Sequence, residues 1–342
     1  MERLLIDSTV QSCAEMYKIA FSANHNISQG LRNLKTELAR YNSTEPHLSE
    51  YLDYLEEVAN DYDSNADPSK SLLVLMPDEF DNYKDKYKRR FPHVQMGKKL
   101  VYKHQISGGS PGDKKKKFWE LVVDTMHYGK DVRSIMVPII EKLGIRTCVY
   151  CNVQYALTIN HSEGLFELDH RYPKSKYPFL CISFYNLQPS CPSCNHGRQT
   201  EVAEFGLYTT DVNDLHPLHL LTKPHLYLRK RRLDPEKIDI HLIATDPHNK
   251  AQVDLAVSHE KDFDINAVYR ELRDVAEETV WRCYAYDDTY KELFLSHFPE
   301  LYDKDALHRF IFGVHAEGNI HRRPLTKLVR DIEKDMSVVI NP

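Results

Sequence analysis

The chain has 342 residues, enough for two or three cores, and its composition of 42% hydrophobic and 11% aromatic residues excludes a disordered protein. A formal net charge of −5 gives no overall polyanion-binding signature, and apolar runs no longer than 135–140 exclude a membrane-spanning helix or a signal peptide behind the opening MERLLIDSTV. Seven cysteines, four of them in two C-x-x-C pairs, point to metal binding in a reducing compartment, the cytoplasm, over a disulfide framework.

The first ninety residues read as helical. Val10, Cys13, Met16, Tyr17 and Ala20 recur at three- and four-residue spacing, which puts them on one helix face. Leu52, Leu55 and Val58 predict a second helix, with 60–68 as its loop. This helix lies in an acidic segment, 41–67, which holds eight Asp or Glu and no Lys or Arg. Such a segment repels a polyanion and is expected to face solvent, a basic partner protein, or another copy of the chain in a homo-oligomer. Residues 84–117 reverse the sign, with twelve Lys or Arg against two acids. Tyr87, Phe91 and Tyr102 are interleaved there, so Lys88, Arg89, Arg90, Lys98, Lys99, Lys114, Lys115, Lys116 and Lys117 are candidate nucleic-acid contacts. An ordinary solvated face is the equal alternative. The GGSPGDKKKK stretch reads as a turn or mobile loop and not as a phosphate loop, because Asp113 stands where the loop needs its second glycine.

Residues 118–143 predict one or two helices, with Pro138 a kink or boundary. Short elements rich in Cys and Pro fill 144–200. A strand is expected over 237–243, an amphipathic helix through Ile265, Val268, Leu272, Val275 and Ala276, and another from Pro324 through Leu325, Leu328, Val329 and Ile332. His216, His219 and His225 read as packed or surface histidines, and 229–232 (RKRR) with Arg322 and Arg323 as solvated faces. The division expected is a helical N-terminal region, 1–117, a central core, 118–205, and a mainly helical C-terminal region, 206–342. The fold class is α+β, mostly helical around that core.

Cys148-Val-Tyr-Cys151 and Cys191-Pro-Ser-Cys194 share one spacing. Two residues between thiolates make a tight knuckle, and two knuckles give the four sulfurs that a structural Zn²⁺ prefers. A redox pair is the weaker reading. Between the knuckles, Asp169 and His170 follow an expected strand at 165–168, Leu187 begins a second strand, and a helix starts near Pro192 with Asn195 in its first turn. A carboxylate and an amide oxygen are hard donors suited to Mg²⁺ or Mn²⁺, and an unligated imidazole beside them can take a proton from water. That set hydrolyses a phosphodiester without a 2′-hydroxyl.

Asp169-His170, Pro173, Asn186-Leu187, Cys191-Pro-Ser-Cys194-Asn195 and Arg198 resemble the HNH endonuclease family, in its four-cysteine zinc-containing branch. The resemblance covers 148–198 and implies the ββα-metal fold and metal-dependent hydrolysis of nucleic acid, DNA ahead of RNA. It implies His170 as general base, Asp169 and Asn195 as ligands of the catalytic ion, Asn186 as the asparagine that pins the loop, and Arg198 as a phosphate contact. Arg171 replaces the family's usual aliphatic residue, and Asn195 in place of a histidine leaves His196 a rival ligand. The helical flanks are reminiscent of the HNH nuclease subunit of Septu-type anti-phage defence systems, which implies an ATPase subunit as partner. The alternative is a zinc-containing nucleic-acid-binding or scaffolding module without catalysis.

Overall fold

A computed structural model describes residues 1–63, 71–104, 112–198, 201–223, 235–300 and 303–340. Expectations for 229–232, for His225 and for most of the loop at 60–68 lie outside these residues. The fold is α+β, with helices carrying most of the chain and five two-stranded sheets among the described residues: β1 (Leu4–Leu5) with β8 (Tyr208–Thr209), β2 (Lys99–His104) with β3 (Gly112–Lys117), β4 (Leu157–Thr158) with β5 (Gly164–Leu165), β6 (Glu167–His170) with β7 (Leu187–Ser190), and β9 (Leu218–Leu221) with β10 (His241–Ala244). No described helix is long and apolar enough to cross a membrane.

The N-terminal part is built from α1 (Ser8–Asn24), α2 (Ile27–Tyr41), α3 (Leu48–Tyr62) and α4 (Phe80–Arg90). Asp7 caps α1 by accepting the Val10 amide at 2.9 Å. The buried stripe of α1 is Val10, Cys13, Ala14, Tyr17 and Phe21, whereas Met16 is 43% exposed. Met16 was expected in that stripe; its position is rotated just past the face that packs.

The two charged segments meet each other. Glu57 and Asp61 of α3 hold Lys86 of α4, Glu57 also holds Arg90, Glu50 pairs with His93, and Glu45 pairs with Lys98. Lys86 and Arg90 follow the first turns of α4, where the helix lies along α3. The basic partner expected for the acidic segment is thus found within the chain, and these exposed pairs add orientation more than stability. The turn expected from the glycines and proline falls on 105–111, outside the described residues, and the lysine run that follows is strand. Gly112–Lys117 forms a strand paired antiparallel with Lys99–His104, and Lys116 bonds Asp124 of the following helix.

Residues 118–143 form two helices, α5 (Phe118–Thr125) and α6 (Lys130–Lys142). The break falls at Gly129, whose φ of 145° suits only glycine, and Pro138 lies inside α6. The expected strand at 165–168 is displaced by two residues: β6 spans Glu167–His170 and pairs antiparallel with β7, Leu187–Ser190. Helix α7, Pro192–Gly197, follows directly. Further on, Leu218–Leu221 pairs with His241–Ala244, shorter than the strand expected over 237–243. The single helix expected through Ile265 to Ala276 is two, Ile265–Arg270 and Arg273–Ala285. The last helix is Thr326–Ile340, and Leu325 before it sits at φ 63°.

Both flanks reach into the centre. Tyr17 donates its hydroxyl to the Ile182 carbonyl and Tyr62 to that of Phe179, each at 2.8 Å. From the other side, His259 Nε2 donates to the Tyr150 carbonyl at 2.8 Å and the Tyr269 hydroxyl to Cys151 at 2.7 Å. Asn152, in left-handed conformation at φ 54°, accepts the Lys327 amide at 2.9 Å and donates to the Ile320 carbonyl at 3.1 Å.

Candidate functional site

The antiparallel register Glu167↔Ser190 to His170↔Leu187 carries β7 straight into Cys191, at the entrance of α7. The first knuckle lies against β7, with the Val149 amide donating to the Pro189 carbonyl at 3.1 Å. Cys148, Cys151, Cys191 and Cys194 are therefore gathered, all buried, with their sulfurs within 4.8 Å of one another. A tetrahedral zinc with bonds of about 2.3 Å needs sulfurs about 3.8 Å apart, so the set fits a metal such as zinc.

Strand alternation puts Glu167 and Asp169 on one face of β6 and Leu168 and His170 on the other. Asp169 is 6% exposed and its carboxylate is crowded with donors. The Tyr150 hydroxyl reaches Oδ2 at 2.6 Å and the His170 amide reaches Oδ1 at 2.8 Å. Arg198 grips both oxygens, Nε to Oδ2 at 3.1 Å and Nη2 to Oδ1 at 2.9 Å, and also donates to the His170 carbonyl at 2.6 Å. Arg198 was expected to touch phosphate; here its guanidinium occupies the cation position of Asp169. Tyr150 belongs to the first cysteine knuckle, so one residue joins the sulfur cluster to Asp169.

His170 is buried and its ring packs on Tyr128, centroids 4.6 Å apart. Its Nε2 lies 2.9 Å from the Cys181 carbonyl. A carbonyl only accepts, so Nε2 carries the proton and Nδ1 holds the lone pair. Burial, followed by the nearby Lys174 ammonium, pushes its pKa down to about 3 and keeps the ring neutral. Asn186 closes the loop between the strands. It accepts the Tyr172 amide at 2.8 Å and donates to the carbonyls of Tyr172 at 3.2 Å and Leu180 at 2.9 Å. That fixes the loop that holds Cys181, and through it the tautomer of His170.

Asn195 donates its amide nitrogen to Glu167, and His196 Nε2 lies 3.1 Å from the same carboxylate. Among the described residues no hydrogen bond joins Asp169 to Asn195. Of the basic candidates, Lys88, Arg89 and Lys99 are exposed, as are Lys115 and Lys117; Lys98, Arg90 and Lys116 are held by acids of the chain, and the Lys114 side chain lies outside the described residues. His216 pairs with Glu2, and His219 lies between Asp331 and Asp335.

Three participants escape the sequence reading. Glu167 was accessible in principle, because a residue two before Asp169 on a strand shares its face. Lys174, whose ammonium lies 4.3 Å from the Tyr128 ring centre, and Tyr150 carry no local signal of their roles. No family model, curated protein or solved structure matches this chain.

Proposed function

We propose that the chain is a metal-dependent HNH-type endonuclease that hydrolyses phosphodiesters of nucleic acid. The observation that carries this reading is the fixed tautomer: the Nε2 proton of His170 is spent on the Cys181 carbonyl, which leaves the lone pair on Nδ1. Asn186 spends three hydrogen bonds on the loop that carries Cys181, which keeps that acceptor in place. In this reading Nδ1 of His170 takes the proton from the attacking water, and Tyr128 and the Cys181 carbonyl fix the ring plane.

Asp169 and Asn195 would hold a hard divalent ion, Mg²⁺ or Mn²⁺, whose contribution when bound is Lewis-acid stabilisation of phosphoryl oxygens. Asp169 and Asn195 are hard donors of the kind such an ion takes; Arg198 would have to release Asp169 for the ion to bind, and Glu167 already holds the amide nitrogen of Asn195. The four cysteines hold structural zinc, and Tyr150 ties that zinc knuckle to the Asp169 carboxylate.

The saturation of Asp169 favours a second reading, a zinc-containing nucleic-acid-binding or scaffolding module. The two separate in one experiment. Plasmid, single-stranded DNA and RNA are incubated with Mg²⁺ or Mn²⁺ and the parent or His170→Ala protein. Cleavage that disappears with His170→Ala supports the nuclease; cleavage unchanged in that variant removes His170 as the base; no cleavage of any substrate supports the binding module.

A further inference from the structure

An open cavity of about 550 Å³ lies between α4 and the loop that follows His170. It is separate from the Asp169 cluster, yet its wall is made by Tyr177, seven residues beyond His170 on the same loop. Tyr87 of α4 and Phe179 of the loop meet at its floor, ring centroids 4.4 Å apart. Lys84, Lys88 and Lys176 line it, with Asp85 as the acid among them. Lys88 is exposed, and among the described residues Lys84 and Lys176 pair with the surface carboxylates Asp81 and Glu201. Exposed pairs of this kind are weak enough for a phosphate to replace. An apolar peptide side chain would suit the rings and leave the ammonium groups without use.

We propose that this cavity receives an unpaired base of single-stranded nucleic acid, with the flanking phosphates on Lys88, Lys84 and Lys176. The half-buried Tyr177 ring, backed by the buried Tyr87 and Phe179, offers a sequence-tolerant stacking surface and the lysines follow the backbone, the combination that single-strand binders use. Tyr87 and Phe91, expected as exposed stacking rings, are buried in the core, so the ring left to take a base is the half-buried Tyr177. This assignment rests on the nuclease reading, and it narrows the substrate to strands or regions with unstacked bases.

The test is binding without divalent ions, so that it does not depend on cleavage. The full chain, with its zinc, is titrated against a fluorescein-labelled single strand, its duplex, and a strand carrying one 2-aminopurine. The single strand is expected to bind about tenfold more tightly than the duplex, with 2-aminopurine emission changing on binding. Lys88→Glu should weaken single-strand binding and reduce the salt slope by about 0.7. Tyr177→Ala should cost about tenfold and remove the emission change, and a thermal melt equal to the parent's shows that the fold is kept. Equal affinity for duplex and single strand, or unaltered binding in both variants, overturns the proposal. Failure of the parent to cleave any substrate would defeat the nuclease reading and leave these binding results standing.

Discussion

Replacing Arg198 by methionine tests the cation position at Asp169 directly. The two side chains are 6% and 8% exposed, so the substitution strands a buried carboxylate. Removing one partner of such a pair costs about 3–5 kcal/mol. The Tyr150 hydroxyl and the His170 amide remain on Asp169, which places the cost at the lower end, about 3 kcal/mol. If that carboxylate is also the seat of a divalent ion, Mn²⁺ at a hundred times its dissociation constant restores about 2.7 kcal/mol. Urea unfolding of Arg198→Met should therefore show a large loss without Mn²⁺ and near-recovery with it, while the parent, whose seat is filled by the guanidinium, gains less. Adding Asp169→Asn to Arg198→Met should abolish the response. Indifference of Arg198→Met to Mn²⁺, or a response that persists in the double variant, refutes the reasoning.

Cys191→Ser should lose tightly bound zinc, measured by metal analysis of the purified protein, whereas Asp169→Ala should keep it. Asn186→Ala removes three buried hydrogen bonds and should cost about 3 kcal/mol in denaturant unfolding; a loss under about 0.5 kcal/mol would show that the loop holds without it. Burial alone would lower the pKa of His219, but hydrogen bonds to Asp331 and Asp335 push it up to about 9. A raised folded pKa stabilises below the unfolded value of about 6.5 and is lost as pH rises through about 9, a contribution on the order of 3 kcal/mol. Stability measured from pH 6 to pH 10 should fall across about that window in the parent and be flatter in His219→Gln.

How far the sequence alone reaches depends on whether a residue's partner is local. Strand, loop, strand and helix around the second knuckle are marked by Pro173, Leu187, Pro192 and the C-x-x-C spacing, all short-range signals, and the elements observed follow them with a shift of two residues in β6. The cysteine cluster is legible for the same reason, since spacing constrains where the sulfurs lie. The pairing of Arg198 with Asp169 is not legible, because nothing between them fixes where a long side chain lands. The acidic and basic segments read as two exposed surfaces because each was read alone; they are complementary only once α3 and α4 lie side by side. GGSPGDKKKK reads as a turn or loop from its glycines and proline, yet Gly112–Lys117 pairs as a strand because Lys99–His104 offers it a ladder.

Hydroxyl and imidazole groups from α1, α3 and the helices after residue 250 satisfy backbone carbonyls of the first knuckle and of the loop beyond His170. Inactivating changes found in a random screen should therefore scatter over the whole chain and not concentrate between Cys148 and Arg198. A single Tyr17→Phe or Tyr269→Phe change, one oxygen atom smaller, would strand a carbonyl beside the site while leaving every candidate site residue untouched. Excising 118–205 as a minimal fragment would strand all four carbonyls together, so the whole chain is the smallest unit in which the site can be expected to hold its shape.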